Sequence, residues 1–191
     1  MYNEENINDY FDFNINNSNI GYLSSKYVMD MQIKLFEKYY QTNIICLILP
    51  NIFGSDDHFC KNGRIIPSLI YKFKMAQEDN SDIFIASNEN NIVNLIYIKD
   101  LINIIENCIY NDTINGKIII YNKNNNINLK YLTDIMKSIF NFNNKIIFNE
   151  NVPTLNNTIP NIDKFNILFP DFKFSDLNSS LRETIEFYIN N

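Results

Sequence analysis

A tyrosine and a lysine lie four residues apart in the segment Tyr22-Leu-Ser-Ser-Lys26. Within a helix, this spacing places both side chains on one face, one turn apart. A free phenol has a pKa of about 10, and a neighbouring ammonium group lowers such a pKa by stabilising the phenolate. The pair therefore predicts an acid–base site in which Tyr22 exchanges a proton with a carbonyl or alcohol while Lys26 holds a ribose hydroxyl. The alternative is an aromatic core or surface residue beside a solvated lysine.

A second group of polar residues follows the apolar segment 44–54. The Arg64 guanidinium stays protonated and cannot exchange a proton near neutral pH, but it can pair with a diphosphate; the alternative is a solvated residue at the start of a helix. His58 is a candidate acid–base group, or else an exposed loop histidine. Asp56 and Asp57 beside it predict a solvated turn rather than a metal or glycosidase site.

Composition narrows the class of protein. The 191 residues carry a net charge of −6, which disfavours binding to nucleic acid because phosphate neutralisation needs clustered cations. Hydrophobic residues make up 46% of the chain, enough to bury a sizeable core. No apolar run approaches the length of about 20 residues that a membrane helix needs, and no signal peptide is evident, so a soluble, cytoplasmic protein is predicted. Three scattered cysteines and one histidine predict reduced thiols and no metal site.

The elements that must position these residues follow from periodicity. The most regular helical pattern runs from Gly21 to about Tyr40, with Met29, Ile33, Phe36 and Tyr40 on one face. The segment 44–54 then predicts one strand buried on both faces, followed by a functional loop. Further helices are predicted at 64–74, 100–110, 131–140 and 176–189, the last capped by Ser175, and strands at 83–87, 92–98, 117–121 and 145–148. Residues 1–20 are predicted to be irregular and 122–128 a polar surface loop. The alternation of strands and helices predicts an α/β fold with a mostly parallel sheet.

Four sequence blocks carry a family resemblance: NSNIGYLSSKYVMDMQ, IICLILPNIFGSDDHF, GRIIPSLIYKF and FPDFKF. In order and spacing, from about Asn17 to Tyr188, they resemble the GDP-L-fucose synthase family within the extended short-chain dehydrogenases/reductases. The resemblance implies an incomplete Rossmann-like parallel sheet with a smaller C-terminal α/β substrate-binding domain. Residues 1–54 would be the remainder of the NADP-binding domain, and 55–191 mainly the substrate-binding domain, with 92–110 returning to the Rossmann part.

The same resemblance implies roles for individual residues. Tyr22 would donate the proton in the NADPH-dependent reduction of a 4-keto sugar, and Lys26 would bind the nicotinamide ribose. Asn51 would lie against the nicotinamide or the substrate, although a plain turn residue is the alternative. The loop 55–64 would border the sugar of a GDP-sugar substrate, with Arg64 near the diphosphate. The helix that carries Tyr22 and Lys26 would form the contact of a homodimer.

The chain also departs from the family pattern. Its four glycines form no GxGxxG motif, so we expect it to be the C-terminal half to two-thirds of such an enzyme, without its own site for the NADPH pyrophosphate. Arg64 stands where the family has an acid–base histidine, and His58 is not in that position. Val93 and Asn94 stand where the family has a substrate-contacting arginine. Two alternatives therefore remain: a non-catalytic nucleotide-sugar binding or oligomerisation module, and an epimerase for another nucleotide sugar.

Overall fold

The computed structural model describes residues 20–154 and 158–190, so the predicted irregular segment at residues 1–20 lies almost wholly outside it. Helices and strands alternate along the described chain as the periodicity predicts. The elements are α1 (Ile20–Tyr40), β1 (Ile45–Ile48), β2 (Asn51–Phe53), α2 (Ile65–Glu78), β3 (Ile83–Ile85), β4 (Ile92–Tyr97), α3 (Ile98–Ile109), β5 (Gly116–Ile119), a 3-10 turn (Lys123–Asn125), β6 (Asn126–Asn128), α4 (Leu129–Phe140), β7 (Ile146–Phe148), α5 (Asp163–Leu168) and α6 (Leu177–Asn190).

The strands pair in three small sheets, and most of the pairing is parallel. β1 pairs with β5, β2 with β4, and β3 with β7, all parallel, whereas β6 pairs antiparallel with β4. The single strand predicted for the segment 44–54 is divided at Leu49 and Pro50 into β1 and β2, which have different partners. The prediction that it is buried on both faces was wrong, because all four residues of β1 are only half-buried.

Alternate side chains of β4 enter two different hydrophobic cores, as a strand period of two requires. Leu95 and Tyr97 join the larger core, which is built by α2, α4 and α6. Ile96 joins the smaller core, which is built by α3, β5 and α5. The central strand therefore connects both halves of the described structure.

The asparagine-rich segment 122–128 forms a partly buried 3-10 turn and strand β6. The prediction of a polar surface loop there was wrong. Asn122 and Asn125 are 1% and 5% exposed. The carboxamide of Asn94 donates to the Asn122 carbonyl at 2.6 Å and accepts from the Asn122 N–H at 3.1 Å. Because a carboxamide has the same donor and acceptor as a peptide group, Asn94 acts here as a strand neighbour and fixes the turn that leads into β6.

The cap of α6 also differs from the sequence prediction. Asp176, not Ser175, caps the helix, since its carboxylate accepts from the Ser179 N–H at 2.9 Å. That backbone hydrogen bond lowers the pKa of Asp176 below its ordinary value. Ser175 instead donates from its backbone N–H and its hydroxyl to the buried Asp100 at the start of α3, at 3.0 and 2.6 Å. It thus connects the segment before α6 to the first turn of α3.

Helix α1 leaves its apolar side chains largely uncovered. Met29, Phe36 and Tyr40, predicted to share an apolar face, are 44%, 51% and 72% exposed, and Ile33 is half-buried. Of the 21 described residues of α1, only Asp30 is buried. The helix therefore attaches to the described part of the chain through a polar contact, and its apolar surface is available to other segments or chains.

Candidate functional site

A cleft of about 640 Å³ lies between α1 and the β1–β2 segment. Its lining includes the four residues that the sequence singled out: Tyr22 and Lys26 from α1, Asn51 at the start of β2, and Arg64 just before α2. These residues are up to 42 positions apart in the chain, from Tyr22 to Arg64, and the fold brings them to one cavity. The other lining residues are mostly apolar: Met29, Asp30, Ile33, Cys46, Leu47, Ile48, Leu49, Pro50 and Ile52.

Tyr22 and Lys26 share one face of α1, as their spacing predicts. The Lys26 ammonium lies 5.4 Å from the centroid of the Tyr22 ring. Tyr22 is 64% exposed, so its hydroxyl is accessible to a ligand in the cleft. The Ser25 hydroxyl donates to the Tyr22 carbonyl at 2.7 Å within the first turns of the helix. The first turns of α1 thus place a cation over an accessible phenol ring at the edge of the cleft.

Asn51 is a strand residue rather than a turn residue. It is the first residue of β2, and the parallel register with β4 places it opposite Leu95. Its carboxamide donates to the Asn94 carbonyl at 3.3 Å, which holds the side chain in place at the edge of the cleft. Asn94 is itself buried and hydrogen-bonded to Asn122, so its side chain does not reach the cleft.

Arg64 places a guanidinium at one end of the cleft. One of its terminal nitrogens lies 2.8 Å from a carboxylate oxygen of Asp57, and that oxygen also accepts from the His58 N–H at 2.8 Å. The Arg64 side chain is 58% exposed, whereas that of Asp57 is 11% exposed. The loop thus holds one side of the guanidinium and leaves the rest open to an anion. His58 is not among the residues that line the cleft.

Asp30 and Cys46 are cleft residues that were not predicted from the sequence. Burial by itself raises the pKa of Asp30, but hydrogen bonds from Lys117 and Lys34 outweigh burial and bring this pKa below the ordinary 3.8. The carboxylate therefore stabilises the fold at neutral pH, and that stabilisation is lost as the pH falls through the lowered pKa. Burial raises the pKa of the Cys46 thiol. Asp30 could have been predicted as a cleft residue from its spacing, because it follows Lys26 by four residues and therefore lies on the same face of α1.

The cleft presents a phenol, an ammonium and a guanidinium beside a mostly apolar wall, a composition typical of a site for a small organic ligand. Among the described cleft residues, no glycine-rich turn before a helix is present that could hold a pyrophosphate. Nor does the described structure hold a group of three or more His, Cys, Asp or Glu side chains that could bind a metal ion. In the same residues, no helix is long and apolar enough to cross a lipid bilayer.

The chain is similar in sequence to known proteins. The sequence profile of the NAD dependent epimerase/dehydratase family matches residues 3–122. A GDP-L-fucose synthase of Dictyostelium discoideum is 24% identical over 178 residues, which cover 91% of this chain and 55% of that protein.

Solved structures show the same fold. A GDP-L-fucose synthetase from Naegleria fowleri bound to NADP superposes with a TM-score of 0.81 at 20% identity, covering 92% of this chain and 57% of the other. A GDP-mannoheptose C4 reductase from Campylobacter jejuni with NADP bound gives a TM-score of 0.72 at 20% identity, covering 90% and 57%. The chain therefore spans little more than half the length of these relatives.

Proposed function

Because the chain belongs to the NAD dependent epimerase/dehydratase family, we propose that it forms the Tyr–Lys and sugar-binding part of an NADPH-dependent GDP-sugar epimerase–reductase of the GDP-L-fucose synthase type. The observation that carries the proposal is the convergence of Tyr22, Lys26, Asn51 and Arg64 on one cleft. We assign residues 1–54 and 92–110 to the cofactor-binding part and most of 55–191 to the sugar-binding part. The substrate is GDP-4-keto-6-deoxy-D-mannose, which is converted to GDP-L-fucose by epimerisation at C3 and C5 and NADPH-dependent reduction of the 4-keto group.

Each cleft residue has a chemical task in this proposal. NADPH, when bound, supplies the hydride. Tyr22 donates its hydroxyl proton to the oxygen of the 4-keto group, and the Lys26 ammonium stabilises the resulting phenolate. Lys26 also donates a hydrogen bond to the nicotinamide ribose. Asn51, held by the Asn94 carbonyl, orients the ring or the sugar at the edge of the cleft, and Arg64 pairs with the substrate diphosphate.

Arg64 provides the test of the sugar-nucleotide site. We expect Arg64→Gln to weaken the binding of GDP-mannose, a stable analogue of the substrate, by about tenfold, because a charge-assisted hydrogen bond to phosphate is lost. Isothermal titration calorimetry on the 191-residue chain measures this change. Arg182→Gln is the matched control, since Arg182 is exposed on α6 and does not line the cleft. Equal affinities in wild type and Arg64→Gln, or equal losses in both variants, would contradict the assignment.

A second candidate is a non-catalytic module that binds a nucleotide sugar. Two departures from the pattern that the family resemblance implies favour it: Arg64 stands at the place of an acid–base histidine, and Val93 and the buried Asn94 stand at the place of a substrate-contacting arginine. Such a module would bind GDP-mannose in the same cleft and depend equally on Arg64. It differs from the enzyme in one respect, since it would bind the 4-keto sugar with NADPH present and leave it unreduced.

We also propose that α1 mediates a homodimer. Its residues Val28, Met31, Leu35 and Tyr39 recur at helical spacing and are 51%, 48%, 50% and 69% exposed. Leu35→Glu is expected to shift the chain toward monomer in sedimentation velocity, because a carboxylate would have to be buried in the contact. Ile109→Glu, at a residue 67% exposed on α3, serves as the control. A monomeric wild type, or the same shift in both variants, would argue against this interface.

A further inference from the structure

An ion pair that the proposed mechanism does not use connects α1 to the sheet. The Asp30 carboxylate contacts the ammonium of Lys117, the second residue of β5, and also that of Lys34 at 3.2 Å on α1 itself. The Asp30 and Lys117 side chains are 12% and 23% exposed, whereas that of Lys34 is 60% exposed. The cross-element pair is thus shielded from solvent, and the pair within the helix is not.

An ion pair that is shielded from solvent adds little net free energy of folding, but it fixes the relative position of the two elements that it joins. The cost of desolvating two charges offsets much of their attraction, and apolar residues in their place would often stabilise a fold at least as well. The pair nevertheless requires one relative position of the two elements, because its energy falls steeply once the charges separate. The position of α1 depends strongly on this ion pair, because Asp30 is the one buried residue among the 21 described residues of the helix.

The position of the pair relates directly to the cleft. Tyr22, Lys26 and Asp30 are spaced by four residues and all line the cleft from α1. Lys117 lies on β5 opposite Cys46 of β1, the strand that continues into Asn51. The ion pair therefore joins the helical wall of the cleft to the strands that form its other wall.

We propose that Asp30 and Lys117 are positioning residues, whose ion pair holds α1 against β5 so that Tyr22 and Lys26 face Asn51 across the cleft. The expected consequence of this ion pair, binding of the nicotinamide ribose, rests on the proposed function. The contact between Asp30 and Lys117 does not depend on that function. Removing the pair would let α1 shift and would widen the cleft, and Lys117→Met removes it without changing any residue that lines the cleft.

The test uses reduced nicotinamide mononucleotide as a probe, because it carries the nicotinamide ribose and lacks the adenosine half. NMR titration of the whole chain measures its affinity in wild type, Asp30→Asn and Lys117→Met. We expect about tenfold weaker binding in both variants and an affinity within twofold of wild type in Lys34→Gln, the matched exposed control. Lys117→Arg keeps the charge and should restore most of the affinity. GDP-mannose binding near Arg64 should not change.

Hydrogen exchange on the same variants separates this inference from the proposed function. Asp30→Asn should accelerate amide exchange in α1 and leave α2 and α4, which belong to the larger core, unchanged. Unchanged α1 exchange, or unchanged probe affinity in a wild type that binds the probe, would overturn the positioning role. If wild type does not bind the probe, the nicotinamide assignment fails, and the α1 exchange rates alone decide whether the pair holds the helix. If Asp30→Asn does not fold, Lys117→Met and Lys117→Arg decide the outcome by the same criteria.

Discussion

Replacing Tyr22 with phenylalanine is expected to lower the rate of NADPH-dependent reduction of GDP-4-keto-6-deoxy-D-mannose by about 100- to 10,000-fold, the range typical for loss of a general acid. The substitution removes one oxygen atom and keeps the ring under the Lys26 ammonium. The proton for the 4-keto oxygen then has no donor at that place in the cleft. Binding of GDP-mannose should be unchanged, because the diphosphate is held near Arg64. The loss of NADPH absorbance at saturating substrate measures the rate.

The chain offers a closely matched control for this substitution. Tyr39 lies on the same helix, is 69% exposed and has the Lys38 ammonium 5.6 Å from its ring centroid, yet it is not part of the cleft. Tyr39→Phe should retain the wild-type rate within a factor of two. A Tyr22→Phe protein that reduces the substrate at the wild-type rate would exclude Tyr22 as the acid. A wild type that binds both GDP-mannose and NADPH but never reduces the keto sugar would favour the non-catalytic module.

The largest effect on stability is expected for Gly54→Ala. The register of β2 and β4 continues past Phe53 and Tyr97, so Gly54 lies beside Ile98, the first residue of α3. A Cβ atom at Gly54 would lie 2.9 Å from the Cβ of Ile98 and still closer to its γ2 methyl group. A β-branched side chain in a packed helix start has little freedom to move. We therefore expect Gly54→Ala to lower the free energy of unfolding by about 1 to 3 kcal/mol, as overpacking does.

Gly21→Ala is the control for the effect of adding one methyl group. A Cβ at Gly21 meets no atom within 4 Å, and the residue lies in α1, where alanine is favoured over glycine by up to about 1 kcal/mol. Urea unfolding of both variants should show destabilisation for Gly54→Ala only. Equal stability of Gly54→Ala and wild type would mean that β2 and α3 are less closely packed than the structure shows.

The parts of the fold that could be predicted from the sequence are those with a periodic hydrophobic pattern. The patterns of 21–40 and 131–140 match α1 and α4 closely, because a helix repeats its environment every three to four residues. The Tyr22–Lys26 spacing, the family resemblance for Asn51 and the permanent charge of Arg64 predicted the four proposed site residues from sequence. That these residues line one cleft depends on how α1 packs against the β1–β2 segment, which no local pattern encodes.

The parts that sequence reasoning missed depend on polar groups in buried surroundings. Asparagine is normally a loop residue, so the burial of Asn122 and its pairing with Asn94 could not be inferred from composition. The apolar face predicted for α1 is largely exposed, and the structure buries Asp30 instead. A charged residue is expected inside only when its partner is known, and Lys117 lies 87 positions away in the sequence. An ion pair between residues so far apart in the sequence can be recognised only once the fold is known.

The central claim is that Tyr22, Lys26, Asn51 and Arg64 form one site for the nicotinamide ribose and the GDP-sugar. Chemical-shift mapping of the labelled chain with reduced nicotinamide mononucleotide and GDP-mannose tests it most directly. The account predicts that the first ligand perturbs Tyr22 and Lys26, that the second perturbs Arg64, and that both perturb Asn51. Perturbations confined to another surface, such as the groove between α4 and β7, with none at these four residues, would contradict it.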